Sequence, residues 1–401
     1  MARILFVASR FPHPPFRGDI VRTLQQIQQL GTRFDITLVA PAPPRGVSLS
    51  NTVINDRCEF IPVPLAGWHA LRNVGAFFAD GLPLQTAAFF STAYSKAAAH
   101  ALRRQSFDLA HVQMVRIGPI VNTLEGLPIV LDMIDTASLN MERRAAHEGL
   151  LLRGLVAWEA RRLRAYERVL SQQCARVVVS SPADLQALDP GDRTRVVPFG
   201  IDLLSLPFVE GGREESEIVF TGRMGYFPNA DAAVYFATDV FPLVRRSVAE
   251  ARFTIVGIDP PSRVRALGRL PGVKVVPDSN LRTYLERATV AVAPLRSGTG
   301  LQIKVLEAMA KGAPVVATPM VSPAIVAVDG DHWFLAESPT DFAERVAFLL
   351  RNKEAARRMA HSARRFVETR FAQEVVVAQL GAIWDEVLMA ARHKPLRQAS
   401  G

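Results

Sequence analysis

Residues 290–318 read VAVAPLRSGTGLQIKVLEAMAKGAPVVAT, and the order of patterns in that run decides the fold class. VAVA at 290–293 is a short, wholly apolar stretch of the kind that fills a strand buried on both faces. A loop with two glycines follows, then a helical pattern over 301–311. Glycine, proline and a second valine strand at 315–317 close the run. Strand, helix and strand in so short a span is the repeating unit of a parallel sheet.

The rhythm extends outward in both directions. Further buried strands are expected at 4–8, 36–40, 109–112, 129–131 and 177–180, with helical patterns such as 21–30 and 93–104 between them. A second series falls at 218–221, 253–256, 273–276, 290–293 and 315–317. A chain of 401 residues suits two domains. The expectation is therefore an α/β protein with two doubly wound, Rossmann-like parallel sheets. LLSLPFVEGGREES at 203–216 carries no periodicity and clusters Gly, Pro and charge, so it reads as the linker. That gives domains at 1–203 and 204–375. Residues 376–401 form a last helix, expected to pack back on the first domain, and then a frayed tail.

Composition narrows the function classes. Half of the residues, 49%, are apolar, enough for two cores, and the net charge is +9. The basic residues are mostly arginines interleaved with glutamates, which suits an anionic small ligand or membrane surface. No basic run with interleaved aromatics and no zinc spacing points to nucleic acid. Two distant cysteines, Cys58 and Cys174, make no disulfide framework. The opening apolar run is short and reads as a first strand, not a leader, and no segment is long enough to span a membrane. The expected location is cytoplasmic, at most peripheral at the inner face of a membrane.

Phosphate chemistry is suggested by the loops. The glycines at 298 and 300 precede a helix whose first amides, near Gly300 and Leu301, point outward and favour an anion. Lys304 falls in the first turn, against the helix dipole, where a bound diphosphate would compensate it. The competing reading is an i, i+3 pair between Lys304 and Glu307 on a solvated face. A second loop, GRMGYFPN at 222–229, places Arg223 just past a strand, well sited for phosphate oxygens. The loop at 11–19, with Gly18 before a helix, is a candidate lid.

Taken together these stretches resemble the GT-B glycosyltransferases, within them the retaining, sugar-nucleotide-dependent group called family four or glycosyl transferases group 1. The strongest block is PDSNLRTYLERATVAVAPLRSGTGLQIKVLEAMAKGAPVVAT at 277–318. The strand–GR–x–PN pattern at 219–229, VVPFGID at 196–202 and GDHWFLAESPTDFAERVAFLL at 330–350 support it. The resemblance implies a donor site in the second domain, an acceptor site mainly in the first, and an interdomain cleft. Glu307 would then meet the donor ribose, and Arg223 with the amides at Gly300 and Leu301 would bind the diphosphate, assisted by Lys304. Pro277 and Asp278 would lie near the base, and Gly18, Gly222, Asn229 and Thr299 on loops facing the donor.

The sequence departs from that pattern in three places. Thr299 stands where the family commonly has a second glutamate, Asn229 where it often has a phosphate-binding lysine, and LDMID at 131–135 carries no histidine. Lys304 thereby becomes the more necessary positive charge. Candidates for the acceptor's proton are Asp135 and His111, with His13 in the lid, unless the departing phosphate takes it. No convincing Asp-x-Asp loop is present, so no metal and no resident cofactor are expected, and fixed cations would stabilise the leaving group.

The expected activity is hexosyl transfer (EC 2.4 type) from a sugar nucleotide to a glycan, lipid-linked sugar or small molecule, with retention. The alternatives are a non-hydrolysing nucleotide-sugar 2-epimerase and a non-catalytic nucleotide-binding scaffold. Aromatics over 65–102 (Trp68, Phe77, Phe78, Phe89, Phe90, Tyr94) read as packing or an acceptor wall. A basic helix over 142–168, with Leu163, Tyr166 and Leu170 on one side, reads as a solvated helix or a membrane-facing one.

Overall fold

The computed structural model describes residues 1–14, 18–44, 53–65, 81–145, 150–188, 191–297 and 300–393. Trp68, Phe77, Phe78, Gly298 and Thr299 lie outside the described residues. The chain divides into two compact units, Met1–Gly200 with the chain from Val376 onward, and Ile201–Val375.

The first unit holds seven parallel strands: β1 Arg3–Ala8, β2 Asp35–Pro41, β3 Glu59–Val63, β4 Leu109–Gln113, β5 Ile129–Ile134, β6 Arg176–Val179 and β7 Thr194–Val196, in the order β3-β2-β1-β4-β5-β6-β7. The helices that matter below are α1 Gly18–Leu30, α2 Leu84–Phe89, α3 Thr92–Arg104, α4 Ala137–Ala145 and α5 Leu150–Gln173. The second unit holds six: β8 Glu217–Thr221, β9 Arg252–Val256, β10 Val273–Val276, β11 Val290–Ala293, β12 Val315–Ala317 and β13 Phe334–Leu335, in the order β10-β9-β8-β11-β12-β13. Its relevant helices are α6 Phe227–Tyr235, α7 Leu281–Arg287 and α8 Ile303–Ala310; α9, Gln373–Arg392, begins here and crosses into the first unit.

Both are doubly wound α/β sheets, as the valine-rich runs require. Alternate residues of each strand face opposite cores. In the first unit Leu5, Val7, Ala110, Val112, Leu131 and Val177 pack under α3 and the 3₁₀ segment Val115–Leu124. Ile4, Phe6, Leu38, Leu109 and Val130 pack on the other side, where α9 delivers Val376, Leu380, Trp384 and Val387. The second unit centres on Phe236, Phe241, Phe253 and Phe342, each almost wholly buried.

Three strands escape a search for apolar runs: β3, β7 and β13. All are edges or short end pieces of their sheets. Edge strands need only one buried face. β3 also contains Pro62, and β7 is the polar triplet Thr-Arg-Val.

Each strand order has one reversal. In the first unit the chain leaves β1 toward β2 and β3, then returns to β4 on the other side of β1. In the second it leaves β8 toward β9 and β10, then returns to β11. Ligands of open parallel sheets bind beyond the carboxyl ends of the strands at such reversals. The loops to examine therefore follow β1 and β4, and β8 and β11.

Candidate functional site

The loop after β8 begins with Gly222 and Arg223; the loop after β11 leads through Arg296 and Ser297 to Gly300 and α8. Gly300 has φ +75°, a left-handed conformation that glycine adopts without strain. Gln302, the residue before α8, makes no side-chain cap, and the first turn is closed by backbone instead: the Ile303 amide donates to the Leu301 carbonyl at 3.1 Å and the Val305 amide to the Gln302 carbonyl at 2.9 Å. Leu301 is buried beneath this turn.

Lys304 lies at the second position of α8. Its ammonium donates to Asn229 Oδ1 and sits 5.0 Å from the ring centre of buried Phe220. Asn229 is itself buried, and its Nδ2 donates to the carbonyl of Arg223 at 2.9 Å. Among the described residues no carboxylate pairs with Lys304. Burial without a counter-charge pushes its pKa down to about 7. A Cβ on Gly222 would come within 2.8 Å of Asn229 Nδ2 and 3.1 Å of Lys304 Nζ. Gly222, Arg223, Asn229 and Lys304 thus form one cluster at the β8/β11 reversal. Gly257 keeps the β9 loop close behind it, since a Cβ there would fall 1.7 Å from the Gly222 carbonyl oxygen.

The i, i+3 pair of Lys304 with Glu307 does not form. Glu307 turns toward Arg282 of α7, at 3.7 Å, while Lys304 turns toward Asn229. Adjacency on a helix surface brings two side chains within reach, but each has gone to a different neighbour. The Glu307 carboxyl is raised by burial, opposed by Arg282 and Lys311. Arg223 differs from Lys304 in setting. Its side chain is 69% exposed and pairs with Asp259 beyond β9, Nε at 3.1 Å and Nη2 at 3.0 Å. An exposed pair of this kind is worth about 0–1 kcal/mol, so a phosphate oxygen can replace the carboxylate at little cost. Pro277 and Asp278 follow β10. Asp278 accepts from the Asn280 amide at 2.8 Å and from the Tyr284 hydroxyl at 3.3 Å, which orders the start of α7.

Two cationic side chains and the start of α8 thus meet at a sheet reversal. Residues 215–352 match the model of the family described as glycosyl transferases group 1. That match lies within the second unit and spans less than half of the chain.

A phosphatidyl-myo-inositol mannosyltransferase of Propionibacterium freudenreichii is 30% identical over 160 residues, 38% of this chain; the match spans only 40% of that relative. Over whole chains the fold resembles a sucrose-phosphate synthase from Thermosynechococcus elongatus, with TM-score 0.70, 16% identity and coverage of 97% and 100% of the two chains. It also resembles Anabaena HepE in complex with UDP and glucose, with TM-score 0.62, 13% identity and coverage of 96% and 100%. At these identities the two structures establish the shared GT-B class of fold.

Sequence reasoning passed over three groups near the second unit's cluster. Asp259 and Arg282 occupy the ion pairs just described. Ser297 Oγ is buried and has no hydrogen-bond partner among the described residues. Its position beside Gly298 was the available signal.

In the first unit the candidates scatter. Gly18 opens α1, and Phe199 lies against it: a Cβ there would be 3.1 Å from the Phe199 ring. Asp135 lies just past β5. It accepts from Ser180 Oγ at 2.8 Å, and burial, with Asp184 nearby, raises its pKa to about 6. His111 is corrected. It stands within β4 and is wholly buried. Trp384 Nε1 donates to its Nδ1 at 3.3 Å, the tilted Phe6 ring is centred 4.3 Å away, and Asp132 is 3.9 Å from Nε2. Burial lowers its pKa to about 4, so it is a neutral core residue and not a proton carrier open to substrate. Asp132 instead anchors α1, accepting from Arg22 Nε at 2.7 Å and Gln26 Nε2 at 3.0 Å.

Proposed function

We propose that the protein transfers a hexosyl group from a nucleoside-diphosphate sugar to an acceptor, with retention of configuration and without a metal. The observation that carries this reading is Lys304: an ammonium withdrawn from water, with no carboxylate beside it among the described residues, at the carboxyl end of the second sheet. A diphosphate there would restore its charge. As the sugar–phosphate bond breaks, negative charge grows on the leaving diphosphate and an oxocarbenium-like centre forms on the sugar. Lys304, assisted by Arg223, is the donor that would stabilise that charge. Glu307, desolvated and reached by one exposed arginine, suits the ribose hydroxyls. Pro277 and Asp278 are assigned to the base. Gly18 keeps the start of α1 slim beside the donor sugar.

The acceptor's proton goes to the leaving phosphate or to Asp135, whose raised pKa suits proton exchange near neutrality. Retention follows from the family resemblance. HepE holds UDP and glucose, and the mannosyltransferase named above acts in phosphatidyl-myo-inositol chemistry; both favour a sugar nucleotide with a small or lipid-linked acceptor. A peripheral place on the inner face of a membrane is supported by α5. It exposes Leu152, Leu155 and Trp158 between arginines. No described helix is long and apolar enough to cross a membrane.

The test is incubation with UDP-, GDP- and ADP-sugars and a panel of acceptors, with and without EDTA. We expect transfer that persists in EDTA. Epimerised donor, or binding with no turnover, would reject the reading.

A further inference from the structure

We propose that the first unit carries a second anion site, built from Arg10, Arg116, Phe89 and Tyr94, which takes a phosphate-bearing sugar or polyol as the acceptor. The inference rests on the transferase reading for the word acceptor, but not for the site.

The site lies where the topology directs. Arg10 is the second residue after β1, and Arg116 the third after β4. These two strands flank the reversal of the first sheet, and their carboxyl ends open on the place where such sheets bind ligands. Both arginines converge on one ring. The Arg10 guanidinium is 5.6 Å from the centre of Phe89 and that of Arg116 is 4.6 Å from it. Phe89, at the end of α2, is 37% exposed. Behind it Tyr94, wholly buried, donates its hydroxyl to the carbonyl of Ser9 at 3.2 Å. Burial raises the Tyr94 phenol, while Arg116 and then Arg10 act to lower it, so both positive charges are felt at the same point.

The site is supported from behind. Asp19, in the first turn of α1, pairs with Arg10. Met114, between β4 and Arg116, has φ +77°, unusual for a residue with a side chain. Its amide donates to the Asp132 carbonyl at 2.7 Å. Its sulfur lies 2.7 Å from Arg116 Nη2. This turn directs the Arg116 side chain toward Phe89.

Two guanidiniums match the oxygens of a phosphate, and an exposed aromatic face suits the C–H face of a sugar or cyclitol ring. A neutral sugar would use the ring alone. The same chemistry is offered by a free sugar phosphate and by the phosphodiester headgroup of a lipid, and the experiment has one arm for each.

In the first arm, glucose, mannose and myo-inositol are titrated into the full chain, each with and without a phosphate group. Saturating UDP or GDP occupies the donor site. In the second, binding is measured to phosphatidylcholine vesicles with and without phosphatidylinositol. The variants are Arg10→Ala, Arg116→Ala and Arg116→Lys, with UDP and GDP binding as the check that each is folded. Wild-type protein should prefer the phosphorylated partner in one arm. Arg10→Ala and Arg116→Ala should each weaken that partner about tenfold or more, leave the plain sugar unchanged, and leave nucleotide binding intact. Arg116→Lys should recover part of the loss. Equal binding of phosphorylated and plain partners in both arms would overturn the site, as would unchanged binding in both alanine variants. Phosphate-dependent binding without sugar transfer upholds the site and rejects the transferase reading. Transfer to neutral acceptors, unaffected by Arg116→Ala, does the reverse.

Discussion

Lys304→Ala is expected to lower kcat/KM for sugar transfer by about 10²–10³-fold while the protein stays folded. The size follows from removing one preorganised donor to developing charge in a water-poor site, which costs about 3–4 kcal/mol. The intact fold follows from what Lys304 lacks. It has no carboxylate partner among the described residues, so its removal leaves no charge buried and unpaired; only Asn229 Oδ1 loses a donor. Melting temperature should therefore hold or rise slightly. Arg223→Ala provides the contrast. Its guanidinium is largely exposed and already shared with Asp259, so a smaller loss, about tenfold, is expected. Steady-state rates with the donor identified above check both. Equal rates in wild type and Lys304→Ala would remove the lysine from the chemistry.

Asp132→Ala should destabilise the first unit by about 3–5 kcal/mol, the cost of leaving a buried charge without its partner. Arg22 is 3% exposed and Asp132 fully buried. Loss of the carboxylate also strands Gln26 and the Ile134 amide, which donates to Asp132 Oδ1 at 3.1 Å. Replacing both members, Arg22→Met with Asp132→Leu, should recover the part of the loss that comes from the unpaired Arg22 charge, while Gln26 and the Ile134 amide stay without their acceptor. Denaturant midpoints of wild type and the two variants measure this. Burial works to raise Asp132, but Arg22 and His111 outweigh it and hold its pKa below the ordinary value. Its contribution is present above the usual carboxylate range and is lost as pH falls through the lowered value. His111 adds a step at higher pH. Its pKa is lowered to about 4, so the folded state refuses a proton that the unfolded chain accepts near 6.5. Stability of the first unit should decline as pH falls from that point toward 4.

Much of the architecture was legible because buried parallel strands leave continuous apolar runs, and ten of them stood out. The edges β3, β7 and β13 were not, since one buried face leaves too little pattern in so few residues. The loops that carry Arg223 and Lys304 could be placed after β8 and β11 from glycine beside strand ends. Partners were harder to read. Lys304 and Glu307 are neighbours along α8, yet one meets Asn229 and the other Arg282, far away in sequence. Arg22 and Asp132 lie 110 positions apart, and nothing in LDMID announces an ion pair. His111 in LAHVQM was a candidate for the acceptor's proton because nothing in the run shows what its ring packs against. Only the tertiary fold places Trp384 over that ring.

The central claim is that Lys304 receives the donor's diphosphate. Its most direct test is calorimetric titration of the donor into wild type and Lys304→Arg from pH 6 to 9, in two buffers of different ionisation enthalpy. A sugar nucleotide's diphosphate stays fully ionised across this range, so any proton taken up belongs to the protein. Free Lys304 titrates at about 7, and a diphosphate beside it should return it toward its ordinary value, about 10.4. Binding to wild type should then take up close to one proton at pH 8–9, with affinity falling up to tenfold per pH unit above 7, and almost none at pH 6. Lys304→Arg, charged throughout, should bind without this slope. Wild-type affinity that is flat with pH, with no proton taken up at pH 8, would contradict the account.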